Sequence, residues 1–336
     1  MNERSPAIDE DFAAIVNADF IDWDLLRNKT LFITGATGLI GTSIIKSLDL
    51  ANRKRKLNLK IMALVRNEEK ARIRFAKFMD DKNVEFTVGD VENIPDISEP
   101  VDYVIHAASQ TASKEFVAHA VETINTAVCG TMNTLKLAKG KNAQGYVYLS
   151  SMEVYGYPDK GHKVKEDEIG ALTPLDPRNS YPISKILSES LCCAYANEYG
   201  VPAKICRLTQ TFGPGVNYKD NRIFAYFGRC VKENNNIVLK TKGETERSYL
   251  YVTDAVAAIL LVLLKGKPGN AYNVANEDTY CSIAEMAENV AADGGIKVEF
   301  EIQDEKSNGF PKTLYMNLDT SAIKQLGFIK CHSRKR

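Results

Sequence analysis

The chain has 336 residues, enough for one large domain or two unequal ones. Its 43 basic residues balance 43 acidic ones, which speaks against a nucleic-acid or membrane-surface partner. The longest apolar run, Ala255 to Leu264, is half a membrane span and reads as a buried helix. Residues 1–28 hold no apolar signal core, and seven cysteines without metal-like spacing read as reduced thiols in a cytoplasm.

Within residues 1–28, the spacing of Phe12, Ile15, Val16, Phe20, Trp23, Leu25 and Leu26 suggests a short amphipathic segment packed on the outside of the domain that follows. Next comes Thr30-Leu31-Phe32-Ile33-Thr34-Gly35-Ala36-Thr37-Gly38-Leu39-Ile40-Gly41. A buried strand, Leu31 to Ile33, runs through a three-glycine turn into a helix whose apolar face carries Ile40, Ile44, Ile45 and Leu48. Gly35 permits the sharp turn, Gly38 lets backbone N–H groups approach a phosphate, and Gly41 lets the helix pack close to the strand. The helix start then offers unpaired N–H groups and a positive dipole end to a pyrophosphate. Strand before and helix after are the context that makes a glycine triplet a dinucleotide site.

A basic turn, Arg53 to Lys56, leads to a second strand, Leu59 to Val65, ending in Arg66-Asn67. An acidic residue there would bind the ribose 2′-hydroxyl of NAD, whereas an arginine accommodates a 2′-phosphate; Arg66 leaves both NAD and NADP open. A helix, Glu68 to Met79, precedes a strand, Val84 to Val88, and the turn Gly89-Asp90-Val91. The fourth strand, Val101 to Ile105, delivers His106-Ala107-Ala108-Ser109, small residues that leave room for a cofactor, with His106 read as structural or ribose-adjacent. A long helix, Phe116 to Lys139, has Asn125 in its middle. The fifth strand, Tyr146 to Leu149, delivers Ser150-Ser151-Met152-Glu153-Val154-Tyr155-Gly156 at its carboxyl end, where open parallel sheets place ligands. Ser180-Tyr181-Pro182-Ile183-Ser184-Lys185 then starts a helix, with proline in its first turn. A strand, Ala203 to Arg207, follows. Beyond it strict alternation loosens: helix Ile223 to Lys232, strand Ile237 to Lys240, helix Asp254 to Leu264, strand Tyr272 to Ala275, a helix capped by Ser282, strand Val298 to Ile302 and a last helix from Asp319.

Three groups suit shared proton chemistry. Tyr181 and Lys185 are four apart and lie on one helix face, and Ser151 stands at a strand end. A free tyrosine, with a pKa of about 10, is too weak an acid to serve as a base at neutral pH. A nearby ammonium and an oxidised nicotinamide favour the phenolate and pull it down. Tyr181 then takes a hydroxyl proton as hydride leaves the same carbon, Ser151 holds the reacting oxygen, and Lys185 also grips the nicotinamide ribose.

These pieces resemble the extended short-chain dehydrogenase/reductase superfamily, in its nucleotide-sugar epimerase, dehydratase and decarboxylase branch. The resemblance rests on the segment from Thr34 to Gly41, His106 to Ser109, Ser150 to Gly156, Tyr181 to Lys185 and Phe212-Gly213-Pro214. It implies an α/β fold: a Rossmann doubly wound parallel sheet with a smaller α+β C-terminal substrate domain. It implies a tightly bound NAD that oxidises a nucleotide-diphosphate sugar at C4, with a homodimer built from the long helix and the Tyr181 helix. Cofactor contacts carried over are Gly35, Thr37, Gly38, Leu39, Ile40, Gly41, Arg66, Asp90, Val91, Ala107, Ala108, Ser109, Asn125, Tyr181 and Lys185. Catalytic groups are Ser151, Glu153, Tyr181 and Lys185; substrate contacts are Ser151, Gln210, Arg222 and Arg247, with Arg247 at the nucleotide diphosphate. Gln210 stands where relatives carry asparagine. The expected division is an extension over 1–28, a Rossmann domain over 29–207 rejoined by 245–275, and a substrate domain from 208–244 and 276–336. The chain ends at Cys331-His332-Ser333-Arg334-Lys335-Arg336, which looks short for the family.

Within that branch, makers of 4-keto-6-deoxy sugars carry Thr-Asp-Glu where this chain has Ser151-Met152-Glu153, and Met152 cannot donate the proton that dehydration needs. UDP-glucuronate decarboxylases are more similar: a hydroxyl residue, any residue, glutamate, then Val-Tyr-Gly. The run Pro174 to Tyr181 and Ser109-Gln110-Thr111-Ala112-Ser113 also look like theirs. The same residues serve a UDP-hexose 4-epimerase. A non-catalytic NAD(P)-binding regulator would be favoured by loss of Tyr181 or Lys185, and both are present.

Overall fold

The structure is a computed structural model that describes residues 6–76, 82–110, 117–303 and 312–331. Its centre is a parallel sheet of seven strands: β1 (Thr30–Thr34), β2 (Lys60–Val65), β3 (Val84–Val88), β4 (Tyr103–His106), β5 (Gly145–Ser151), β7 (Ala203–Leu208) and β12 (Ala271–Val274). Their spatial order is β12-β7-β5-β4-β1-β2-β3, so the direction of winding reverses between β1 and β4. That is a doubly wound Rossmann arrangement, with its crevice at the carboxyl ends of β1 and β4.

The sheet is buried on both faces, which is why its strands read as continuous apolar runs. Alternate residues of β1 go to opposite sides. Leu31 and Ile33 join a core with Ile44, Ile45, Leu48 and the buried run Ala255 to Leu263. Phe32 joins the other, with Met62, Val104, Leu135, Tyr146, Tyr148 and Cys192. The helices facing the first side are α2 (Leu39–Arg55) and α7 (Val252–Lys265). On the second side are α4 (Ala120–Gly140) and α5 (Ser180–Tyr199), which pack on each other. The amino-terminal helix α1 (Pro6–Val16) lies against α2 and α7. It is more than an outer covering, because Ile15, Val16, Trp23 and Leu26 are buried within the first core. Tyr251 Oη donates to Asp11 at 2.6 Å, and Arg55 donates to the carbonyl of Val16, so the extension is pinned by polar contacts as well.

Short strands build the remaining sheets. β6 (Lys163–Val164), β10 (Glu246–Arg247), β13 (Cys281–Ser282) and β15 (Tyr315–Leu318) form a four-stranded sheet in the order β13-β10-β15-β6. β8 (Gln210–Phe212) pairs β11 (Tyr249–Tyr251), and β9 (Ile237–Leu239) pairs β14 (Val298–Phe300). Helix α6 (Ile223–Glu233) packs on α8 (Ile283–Gly294), whose start carries the capping box Ser282–Glu285. α3 (Glu68–Arg74) and α9 (Ser321–Gln325) are short.

Two expected boundaries differ. β6 falls inside residues 29–207 but belongs to the small sheet, paired with β15. β10 falls inside 245–275 and also belongs there, while α7 and β12 rejoin the large sheet. Two-residue strands carry no periodicity of their own, so only long-range pairing defines them. Met79, Thr111 to Ser113, Phe116 and His332 to Arg336 lie outside the described residues. The seven cysteines form no disulfide. Among the described residues no helix is long and apolar enough to cross a membrane, and no cluster of His, Cys, Asp or Glu could hold a metal ion.

Candidate active site

A cavity of about 740 Å³ opens at the carboxyl ends of the large sheet. The glycine turn forms one wall. Gly35 has φ +67°, and a Cβ there would stand 2.5 Å from the Ala107 carbonyl group. A Cβ on Gly41 would meet the Gly35 carbonyl oxygen at 2.3 Å. Both positions therefore require glycine, and the close approach brings β1, α2 and the segment after β4 together. Gly38 caps α2 with no side-chain hydrogen bond, so the first N–H groups of the helix remain available at the cavity wall. Thr37, Leu39, Ile40, Arg66, Val91, Ala107, Ala108 and Ser109 also line it. This cradle, with its orphan N–H groups, fits the pyrophosphate and ribose of a dinucleotide.

Thr34 and His106 brace the cradle from below. Thr34 Oγ1 accepts the N–H groups of Ala107 at 3.2 Å and Ala108 at 3.1 Å. Its hydroxyl also pairs with His106 Nδ1, 2.8 Å away. Burial, and then the charge of Lys185, pull the imidazole down to about 3. His106 stays neutral at working pH and acts as a strut, not an acid–base group.

The opposite wall holds the reactive set. Ser151, at the end of β5, accepts the Glu153 N–H at 3.2 Å and is hydrogen-bonded to the Tyr181 hydroxyl. Lys185, only 2% exposed, donates to the Leu149 carbonyl at 2.7 Å and sits 5.5 Å from the centre of the Tyr181 ring. Burial pulls Lys185 down to about 7, against Glu189, Cys192 and Glu153, which pull it up. Tyr181 differs from expectation. Burial, then the charge of Glu153, push its phenol above the ordinary range, and only the Ser151 hydrogen bond lowers it. A lysine near neutrality, turned toward the Leu149 carbonyl, does not offset that burial. Glu153 is also pushed up by burial, against Arg247 first and then Arg178 and Lys185.

Gln210 and Arg222 line the same cavity. Arg222 is held by Asp220, with Nη2–Oδ2 at 2.6 Å. Arg247 is not in the cavity wall, but it faces Glu153, and its Nε is buried without a hydrogen-bond partner among the described residues. Two expected cofactor contacts stand elsewhere. Asn125 is exposed on the outer side of α4, while Thr123 and Thr126 of the same helix face the cavity. Asp90 lies at the rim, 3.9 Å from Arg66 and outside the wall, where its neighbour Val91 enters. His119, Glu122, Thr123 and Thr126 were not anticipated, although their spacing of three and four marks one helix face.

A Rossmann cradle facing a buried Ser–Tyr–Lys set defines a dinucleotide-dependent protein of the short-chain dehydrogenase/reductase type. A family model described as "NAD dependent epimerase/dehydratase family" matches residues 31–275, and the chain belongs to that family. It is similar to UDP-glucuronic acid decarboxylase 1 of Xenopus tropicalis, with 28% identity over 294 residues, 84% of this chain and 65% of that one. It is also similar to dTDP-D-glucose 4,6-dehydratase of Homo sapiens, with 28% identity over 254 residues, 73% of this chain and 69% of that one. The chain thus spans about two thirds of the length of these relatives. Its fold matches the crystal structure of DesIV, a dTDP-glucose 4,6-dehydratase from Streptomyces venezuelae with NAD bound. The TM-score there is 0.73 at 24% identity, over 90% of this chain and 92% of that one.

Proposed function

We propose that this protein uses bound NAD to oxidise a nucleotide-diphosphate sugar at C4, and that its reaction is decarboxylation of a UDP-glucuronate-like substrate. The observation that carries the reading is the composition of the turn after β5. Glu153 stands beside Ser151 in the field of Arg247, while Met152 is packed into an apolar cluster with Val154, Val164, Met316 and Leu318. A buried thioether supplies no acid, so Met152 cannot protonate a leaving C6 hydroxyl.

Tyr181 accepts the C4 hydroxyl proton as the substrate is oxidised, and Ser151 holds that oxygen. NAD, when bound, supplies the hydride acceptor for C4 and a positive charge that favours the Tyr181 phenolate. The 4-keto sugar has its carboxylate on the adjacent C5, a β-keto acid, and its C5–CO₂ bond breaks readily once oriented. Glu153 delivers a proton at C5. The C4 ketone is then reduced by return of the hydride held on the bound cofactor and takes its proton back from Tyr181. Arg247, on the far side of Glu153, completes the anchoring of the diphosphate. Exposed Val121 and Ile124 on α4 and Leu187 on α5 support a homodimer through those two helices.

The test is mass spectrometry of UDP-glucuronate incubated with protein and NAD. Loss of CO₂ to a UDP-pentose supports the reading. An unchanged mass refutes it and sends the search to UDP-glucose and UDP-N-acetylglucosamine, where an isomer means an epimerase and loss of water a dehydratase.

A further inference from the structure

The charged centre of the molecule lies one layer behind the cavity and takes no part in the chemistry above. Glu189 follows Lys185 by one turn of α5 and is 6% exposed; Arg207, in β7, is 4% exposed. Arg207 Nε donates to Glu189 Oε1 at 3.1 Å and Nη2 to Oε2 at 2.7 Å, a two-pronged pair. Ser150 Oγ donates to the same Oε1 at 2.5 Å. The last prong of Arg207, Nη1, donates to the Tyr155 hydroxyl and to the Glu166 carbonyl, both at 2.8 Å. The Tyr155 hydroxyl donates to Asn273 Oδ1 at 2.6 Å, and Asn273 Nδ2 donates to the carbonyls of Val164 at 3.1 Å and Asp319 at 2.9 Å.

One guanidinium thus touches three things. Through Glu189 it holds the helix of Tyr181 and Lys185. Through Tyr155 it holds the turn that contains Glu153. Through Tyr155 and Asn273 it reaches β6 and the end of β15 in the small sheet. A buried ion pair adds little stability over a well-packed apolar pair, so its presence here asks for another reason. What a planar, two-pronged pair gives is fixed direction and distance. We propose that the Glu189–Arg207 pair is the positioning element of this site: it keeps the Tyr181–Lys185 helix in register with the Ser151–Glu153 turn and ties that register to the small sheet. The inference rests on the proton-transfer roles given above.

Glu189 also acts on Lys185 through space, as the strongest charge opposing the effect of burial. The other groups facing Lys185 are Cys192 and Tyr181 on its own helix, Glu153 from the turn, Tyr148 from β5 and the neutral His106 from β4. Glu153 is the remaining carboxyl group among them. Without the Glu189 charge, the Lys185 ammonium loses its main support.

The test is Glu189→Gln in the holoenzyme, assayed on a nucleotide sugar that the unaltered protein turns over. The expected result is a kcat lower by about 100-fold with KM and cofactor content nearly unchanged. The Lys185 titration, followed by NMR of isotope-labelled lysine, is expected to move down by about one pH unit. Ser150→Ala removes one bond of the network and Tyr155→Phe the two made by its hydroxyl, and a kcat lower by roughly 10-fold is expected for each. They carry the test if Glu189→Gln does not fold. Variants that melt earlier yet keep kcat and the Lys185 titration overturn the proposal, since the pair then only holds the fold together. Tyr181→Phe separates the underlying reading: full turnover there refutes the proton role of Tyr181, while the Lys185 titration still judges the pair.

Discussion

Replacing Lys185 by methionine is expected to make the cofactor-free protein more stable and inactive. Burial pulls the ammonium from an ordinary 10.5 to about 7. A shift of that size, at about 1.4 kcal/mol per unit, opposes folding by about 5 kcal/mol below pH 7. At pH 7 the folded lysine is half-protonated and the penalty is about 4 kcal/mol; it fades to about 1 kcal/mol near pH 10, as the unfolded lysine too loses its proton. The sign follows from the depressed value: between pH 7 and 10 the unfolded chain holds the proton that the folded one has shed, so stability rises with pH. Methionine removes the penalty and gives up the hydrogen bond to the Leu149 carbonyl, a loss of about 1 kcal/mol. The variant should therefore exceed the unaltered protein by about 3 kcal/mol at pH 7 and match it near pH 10. Urea unfolding from pH 7 to 10 measures this, with Trp23, the single tryptophan and a buried one, as the fluorescent probe. A variant less stable at pH 7, or a gap that stays constant with pH, would refute the account of Lys185 as a desolvated amine held for function.

Tyr181→Phe should lower turnover by about 1,000-fold with cofactor still bound, and single-turnover absorbance of the reduced nicotinamide checks both. Glu153→Gln should slow CO₂ release by about 100-fold; an unchanged rate would remove Glu153 from the proton chemistry. His106, held near 3, should make stability fall as pH drops from about 6.5 to about 3, with a slope approaching 1.4 kcal/mol per pH unit. His106→Asn should flatten that slope in acid unfolding. Arg66→Ala should weaken NADP binding by roughly 10-fold and NAD binding little, by titration calorimetry; equal losses would mean that the guanidinium reads no phosphate.

What the sequence made legible was local. The glycine turn, the apolar strands and the Tyr181–Lys185 spacing are each written in a few consecutive residues. The Ser282 cap and the buried helix after Tyr251 are legible for the same reason. The small sheet was not, because β6, β10 and β13 are two residues long and exist only through pairing with distant chain. Asn125 shows a second limit. One step along a helix turns a side chain by about 100°, so Thr126 faces the cavity and its neighbour faces outward. The Glu189–Arg207 pair did leave a trace, a charged residue inside the apolar strand Ala203–Leu208, but its partner is 18 residues away and appears only in three dimensions.

The order of strands in the small sheet also sets a timetable. β15, residues 315–318, lies between β10 and β6, and those two are bonded to it and not to each other. The seven-stranded sheet has all its members once residue 274 has been made, yet β6 gains its neighbour only some forty residues later. During synthesis at about 5–20 residues per second, the cofactor cradle can close seconds before the small sheet is complete. A nascent chain would then hold dinucleotide while β6 still waits for its neighbour.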